Sequence, residues 1–280
     1  MDLNRIAQLR DDYAKNGVVH LPRGLGPAGL EAAQAAFEWS MANPGPLARS
    51  FEGGTGTFYN DLLNPKAFDA YRSLLEGSEA ADLVAGLWPG SDIWFLYEQI
   101  FLKEGGESRR TPWHQDSSYL PIGGETIAVM WIPFDPVPKA DSLEFVVGSH
   151  RGVLYDGSSF DPKDDTAPIY GNGAMPRLPD IEKNRAAFDI VSFACEPGDV
   201  VVFHPAILHG GAPTHVGTRR RTLSLRFFGN DAHYAARPVF DPEAAALDQS
   251  VFGQMRRQLT NGAPFRHPYF PKIRDGAKAA

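Results

Sequence analysis

Cysteine is almost missing from this chain: Cys195 is the single one in 280 residues. An intrachain disulfide is therefore excluded, and a reducing compartment fits. Cys195 sits in an apolar, strand-like stretch and reads as buried filler rather than as a nucleophile. Long hydrophobic runs are missing too. No stretch reaches the roughly 18 apolar residues of a membrane span, and Met1-Asp2-Leu3-Asn4-Arg5 lacks an apolar leader core. The expectation is a cytoplasmic protein with no membrane partner. Basic charge is in short supply, with 27 Lys and Arg against 34 Asp and Glu, a net charge of −7. Without a broad basic face, nucleic acid is not expected as a partner, and Arg219-Arg220-Arg221 is too short to supply one. There is no internal repeat and no low-complexity tract. Gly53-Gly54-Thr55-Gly56-Thr57 lacks the Gly-Lys-Ser/Thr ending and the preceding strand of a phosphate loop, so it reads as a flexible loop.

What is present is ordinary globular composition, 43% hydrophobic and 22% charged, enough for a sizeable core. We read residues 1–280 as one domain, with a mostly helical flank over 1–90, a β core over 91–230 and a C-terminal extension over 231–280. Leu3, Ile6, Leu9 and Tyr13 recur at helical spacing up to Gly17, and Val18 to Leu21 looks like a short strand. Helical patterns follow over Pro27 to Met41, Pro65 to Leu75 and Glu79 to Leu87. From Asp92 the texture changes. Ile93 to Leu102, Thr126 to Phe134, Leu143 to Val147, Phe188 to Phe193, Val200 to Phe203 and Thr222 to Phe228 are rich in β-branched and aromatic residues between Gly/Pro turns. Many short strands after helices predict a mainly β fold with flanking helices, an antiparallel barrel or jelly roll. Tyr155 to Asn184, full of Pro, Gly and Asp, reads as a long insertion of the kind that carries function.

The residues that suggest chemistry are His114, Asp116 and His209. Two imidazoles and one carboxylate can hold one face of an octahedral iron(II), leaving three positions open. On a strand, His114 and Asp116 point to the same side and Gln115 to the other. Taken alone, the pair also reads as a strand-end His bonded to a turn Asp. His209 ends Gly198 to Gly211, where a Gly-Asp turn feeds an apolar strand and two glycines permit close backbone approach. His204, before Pro205, is a weaker competitor for a metal, and His150 closes a turn.

The chain resembles the phytanoyl-CoA dioxygenase-like branch of the iron(II)/2-oxoglutarate-dependent oxygenases. The similarity runs from about Val18 to about Asn230 and is sharpest over Trp113 to Pro121, Leu143 to Gly152 and Gly198 to Gly211. The resemblance implies a double-stranded β-helix, the cupin-like jelly roll. It implies His114, Asp116 and His209 as iron ligands, with 2-oxoglutarate and O2 as co-substrates. It also implies an anchor for the far carboxylate of 2-oxoglutarate at Arg220, eleven residues after His209, with Ser224 four further on. A guanidinium suits that carboxylate, and strand parity puts Arg220, Thr222 and Ser224 on one face and Arg221 on the other. Gln115 falls where similar enzymes contact the co-substrate, and Tyr119 and Trp131 where they line the pocket. Relatives usually carry Asn-Gly and Pro where this chain has Ala140-Asp141 and Val147, both away from the metal. Asp116 is present where a Gly or Ala would open a halide position, which favours oxygenation.

The expected function is hydroxylation, or another oxidation, of a small molecule, with release of succinate and CO2. A catalytically silent jelly-roll binding protein does not need the full set. A zinc hydrolase using the same His/Asp/His set leaves Arg220 and Ser224 unexplained. Substrate contacts are expected from Arg49 to Asn60, Tyr155 to Asn184 and the segment after Asn230. These offer aromatics (Phe51, Phe58, Tyr59, Tyr170, Tyr234) and arginines (Arg49, Arg177, Arg237), compatible with a partly apolar substrate bearing an acidic group. Oligomeric state is not legible.

Overall fold

Helix α1 (Leu3–Asn16) stops at Gly17, where a φ of 78° reverses the chain directly into β1 (Val18–Leu21). A Cβ at Gly17 would stand 2.4 Å from the His150 ring, so the turn also needs a bare backbone. The computed structural model describes residues 3–52, 56–106, 108–211, 214–238 and 250–276. Helix α2 (Pro27–Ala42) opens with proline, whose missing N–H costs nothing in a first turn. The helical expectation for the first ninety residues then needs a correction. Strands β2 (Arg49–Glu52) and β3 (Thr57–Leu62) form a hairpin that continues the large sheet. The expected Gly-rich loop lies between them, with Gly53, Gly54 and Thr55 outside the described residues. Helices α3 (Ala67–Gly77) and α4 (Glu79–Leu87) follow, separated by Ser78, whose hydroxyl caps α4 by accepting the Ala80 N–H.

The remaining strands are β4 (Ile93–Glu104), β5 (Thr111–His114), β6 (Ile122–Gly123), β7 (Ile127–Pro133), β8 (Leu143–Val146), β9 (Ile190–Ser192), β10 (Val200–Phe203), β11 (His209–Gly211), β12 (Arg219–Phe228) and β13 (His233–Tyr234). Helix α5 (Val251–Gln258) and β14 (Lys272–Arg274) close the described chain. The large sheet runs β1-β10-β7-β12-β4-β3-β2, with β14 added to β4. Facing it, the small sheet runs β5-β11-β8-β9, and all pairings in both are antiparallel. This is the expected jelly roll.

Period-2 alternation sorts β12 cleanly. Leu223, Leu225 and Phe227 join the core under α2, α3 and α4, with Tyr71, Leu74 and Leu75 among their neighbours in that cluster. Arg220, Thr222, Ser224 and Arg226 face the other way, into the roll. Between the sheets, Trp131, Val129, Val201 and Phe203 pack with Phe145 of the small sheet. The C-terminal extension buries Val251, Met255, Phe265 and Phe270 against Leu96 and Phe228, so it is part of the same body. Among the described residues no helix is long and apolar enough to cross a membrane.

Candidate metal centre

The Gly198 to Gly211 stretch does not form one strand. Strand β10 lies in the large sheet and β11 in the small one, and the chain changes sheets across His204 to Leu208. Pro205 cannot extend the ladder, and His204 ties the crossing down: Ala206 N–H donates to its Nδ1 and its Nε2 meets Gly124 O at 3.1 Å. His204 is thus structural. The crossing places His209 directly opposite His114, its register partner on β5. Gly210 and Gly211 allow that approach, since Cβ atoms there would stand 3.0 and 3.1 Å from Thr111.

Asp116 also departs from expectation. The strand ends at His114, Gln115 stays extended, and Asp116 begins a one-turn 3-10 helix over Asp116–Ser118. The extended Gln115 still brings the His114 and Asp116 side chains to one side. Asp116 Oδ1 lies 3.5 Å from His114 Nε2 and 3.8 Å from His209 Nε2. All three side chains offer a donor atom within 4.8 Å of the others, close enough for one ion to bridge them.

Protonation states agree with metal binding. The Nδ1 atoms of His114 and His209 lie 2.8 and 3.0 Å from the carbonyls of Pro112 and Ile207. A carbonyl only accepts, so Nδ1 carries the proton and both Nε2 lone pairs face Asp116, the tautomer a metal needs. Burial, reinforced by His114, pushes His209 down to about 4, so it is a neutral donor. Burial alone would raise the Asp116 carboxyl, but the Arg226 guanidinium, which donates to it, holds it well below the usual carboxylate range. The donor set of two imidazoles and one carboxylate fits iron(II).

On β12 the expected register holds. Arg220 is half-buried, donates to Asp141 O, and pairs across the sheet with Lys103. Burial lowers its guanidinium to about 10, against the pull of Asp141. Lys103, also desolvated and beside Arg220, is lowered to about 7. Ser224 is buried next to Trp131, its register partner. Arg221 points outward into an ion pair with Asp135 at 2.9 Å. Tyr119 stands beside His114, with the two rings 6.1 Å apart and its hydroxyl donating to Ser158 O.

The Gln115 amide is engaged: its Nε2 donates to Val153 O and Ala206 O, and its Oε1 accepts the Tyr155 N–H at the start of the insertion. Two of the three arginines offered for an acidic substrate are also engaged: Arg177 pairs with Asp164, and Arg237 donates to Ser117 O and Ile122 O. Phe51's side chain lies outside the described residues.

Two site residues escaped the sequence reading. Phe160, on the insertion, is 44% exposed yet sits edge-on to His114 at 5.5 Å and stacked on Tyr119 at 6.1 Å. Its φ of 57° is unusual for a non-glycine residue. No local pattern announces it. Arg226 donates to Asp116 Oδ2 at 2.9 Å, and strand parity from Ser224 would have found it. A second donor cluster, His20, Cys195 and Asp199, is a turn network: Asp199 accepts the N–H groups of Arg23 and Glu196 and meets His20 Nε2 at 3.1 Å. Cys195 is buried, as expected.

Residues 13–222 match the family profile of phytanoyl-CoA dioxygenase (PhyH). The chain belongs to that family. Peroxisomal phytanoyl-CoA dioxygenase of Homo sapiens is 29% identical over 177 residues, 59% of this chain and 49% of the human one. The L-proline trans-4-hydroxylase of Streptomyces griseoviridis is 22% identical over 250 residues, 85% of this chain and 91% of that one. The chain spans about half the length of the phytanoyl-CoA dioxygenases it matches. Among solved structures, the non-heme alpha ketoglutarate-dependent epimerase SnoN from nogalamycin biosynthesis superposes with a TM-score of 0.71 at 22% identity, covering 100% of both chains. SnoN is also known in complex with Fe3+, alpha ketoglutarate and nogalamycin RO, and that structure superposes at 0.70. These likenesses place the family member in the jelly-roll fold the strands already describe.

Proposed function

We propose that this protein is an iron(II)- and 2-oxoglutarate-dependent dioxygenase that hydroxylates or otherwise oxidises a small molecule, releasing succinate and CO2. The observation that carries this reading is the convergence of His114, Asp116 and His209 on one point, with both imidazoles in the metal-binding tautomer. The protein would hold iron(II) through His114 Nε2, His209 Nε2 and Asp116 Oδ1. Arg220 and Ser224, on the inward face of β12, would hold the far carboxylate of 2-oxoglutarate. Iron(II), when bound, supplies the redox chemistry that couples decarboxylation of 2-oxoglutarate to oxidation of the substrate. Tyr119 and Phe160 form an aromatic wall beside His114, which suits a partly apolar substrate and keeps water off the reacting face. The lone reduced cysteine supports a cytoplasmic setting.

The test is succinate formation from 2-oxoglutarate with iron(II) and candidate substrates, beside anaerobic absorbance of the iron(II)-2-oxoglutarate complex. The charge-transfer band should appear in the wild-type protein and vanish in His114→Ala and His209→Ala. A His209→Ala protein that keeps both the band and full activity would overturn the ligand assignment. Hydrolysis supported by zinc, without 2-oxoglutarate binding, would replace the reading altogether.

A further inference from the structure

We infer that Arg226 is a positioning residue for the metal-binding carboxylate: it grips Oδ2 of Asp116 so that Oδ1 alone is presented to the two imidazoles. The inference rests on reading the His/Asp/His set as an iron(II) site. Asp116 begins a short 3-10 turn rather than sitting in a strand ladder, so no sheet register fixes its side chain. Its carboxylate is nevertheless divided between two tasks. Oδ1 lies 3.5 and 3.8 Å from the imidazole Nε2 atoms, while Oδ2 accepts a hydrogen bond from Arg226 Nη2 at 2.9 Å.

Arg226 is built in for this contact. Its side chain is 6% exposed, a costly place for a guanidinium without an anionic partner. Nε and Nη1 are buried and find no hydrogen-bond partner among the described residues, so its hydrogen bonding is concentrated at Nη2. That atom donates to Asp116 Oδ2 and to Gln99 Oε1 at 2.8 Å, and the guanidinium lies 4.5 Å from the Tyr97 ring centre. Gln99 is itself oriented, donating to Asn60 Oδ1 at 3.0 Å. A relay of fixed side chains thus crosses β3, β4 and β12 and ends on the ligand. The β12–β4 register shifts between Arg226 and Phe227, an irregularity of the kind that re-aims a side chain beside a site. Outer contacts of this sort set ligand orientation and metal affinity.

The experiment is anaerobic iron(II) titration by equilibrium dialysis, with the iron(II)-2-oxoglutarate charge-transfer band as a second readout, on wild type, Arg226→Met, Arg226→Lys and Gln99→Leu. Met keeps the length and loses the charge; Lys keeps the charge. Arg226→Met should weaken iron(II) binding about 10- to 100-fold, the usual range for losing such a contact, and shift the band. Arg226→Lys should recover part of both. Gln99→Leu should weaken binding in the same direction but less. Circular dichroism identifies which variants fold. A folded Arg226→Met protein with wild-type iron affinity and an unshifted band overturns the inference. If Arg226→Met does not fold, wild-type behaviour in both Arg226→Lys and Gln99→Leu overturns it equally. Failure of the wild-type protein to bind iron(II) would instead sink the functional reading on which the inference depends.

Discussion

At the scale of single residues, the contrast between Arg220 and Arg221 is the sharpest consequence of strand parity. Arg220 faces into the roll and is desolvated, whereas Arg221 is half-buried on the outer face against Asp135. Arg220→Ala should raise the Michaelis constant for 2-oxoglutarate far more than that for substrate. Removing a buried charge-assisted partner costs roughly 2 kcal/mol or more, about thirtyfold in affinity. Steady-state kinetics with each co-substrate varied in turn reads this out. Arg221→Ala should leave both constants alone and cost at most about 1 kcal/mol of stability, as partly exposed ion pairs do. Gln115 carries the opposite expectation from the one resemblance suggests. Since its amide binds Val153, Tyr155 and Ala206, Gln115→Ala should loosen the insertion and leave 2-oxoglutarate binding little changed. A large rise in the 2-oxoglutarate Michaelis constant in that variant would return Gln115 to the co-substrate site.

At the scale of elements, the insertion divides into a half packed on the small sheet and a half seated over Tyr119. Leu178 and Ile181 are buried with Trp113, Val146 and Leu208. Glu182 accepts from Trp113 Nε1 and pairs with Arg110, and Arg185 pairs with Glu144 and Glu182. That half is stapled to the small sheet. The half carrying Phe160 is joined to the body by single hydrogen bonds, from the Tyr119 hydroxyl to Ser158 O and from the Tyr170 hydroxyl to Ser118 O, and is braced by exposed ion pairs, Arg109–Asp165 and Arg177–Asp164, which are individually weak. We therefore expect limited proteolysis of the iron-only protein to cut between Gly157 and Arg177 and to spare Leu178 to Arg185. Cleavage should slow when 2-oxoglutarate and substrate are added, because closing a site over a reactive centre excludes water. Cutting at equal rates with and without ligands would leave Phe160 as a fixed wall. The β2–β3 hairpin, at Arg49 to Leu62, would then be the better candidate for movement.

At the scale of the whole molecule, burial of neutral histidine gives folding a pH dependence. His204 accepts at Nδ1 and meets Gly124 O at Nε2, a fully bonded neutral ring, and burial lowers it to about 4. Its unfolded value is about 6.5. The unfolded chain therefore binds the extra proton first, and the stability His204 contributes is complete above pH 6.5 and lost as pH falls towards 4. The full effect is on the order of 3 kcal/mol. Glu98 works in the other sense: burial raises it to about 7, so its contribution is lost as pH rises from the usual carboxylate range through 7. The comparison must for that reason be made against a variant. Between pH 7.5 and 5.5 the urea midpoint of wild type should fall further than that of His204→Gln. Equal falls would show that His204 is free to protonate in the folded state.

The strands of the core, the His114, Asp116 and His209 donor set and the inward face of Arg220 were legible in the amino-acid sequence: period-two alternation and turn residues mark the strands, few residue types can bind a metal or a carboxylate, and the family resemblance singled out His209 and Arg220 among them. What was not legible depended on pairing between distant segments. The β2–β3 hairpin exists because Thr57 to Leu62 finds the exposed edge of β4, and its polar, Gly-interrupted stretch carries weak strand preference of its own. The division of the Gly198 to Gly211 stretch between two sheets, the diversion of Gln115 to Val153 and Ala206, and the seating of Phe160 over His114 are likewise long-range. Arg226 lies between the two cases. Strand parity could have turned it inward, but only the folded chain brings Asp116 within reach, 110 residues away along the sequence. Side-chain direction follows from the backbone repeat, whereas a partner is set by which elements meet.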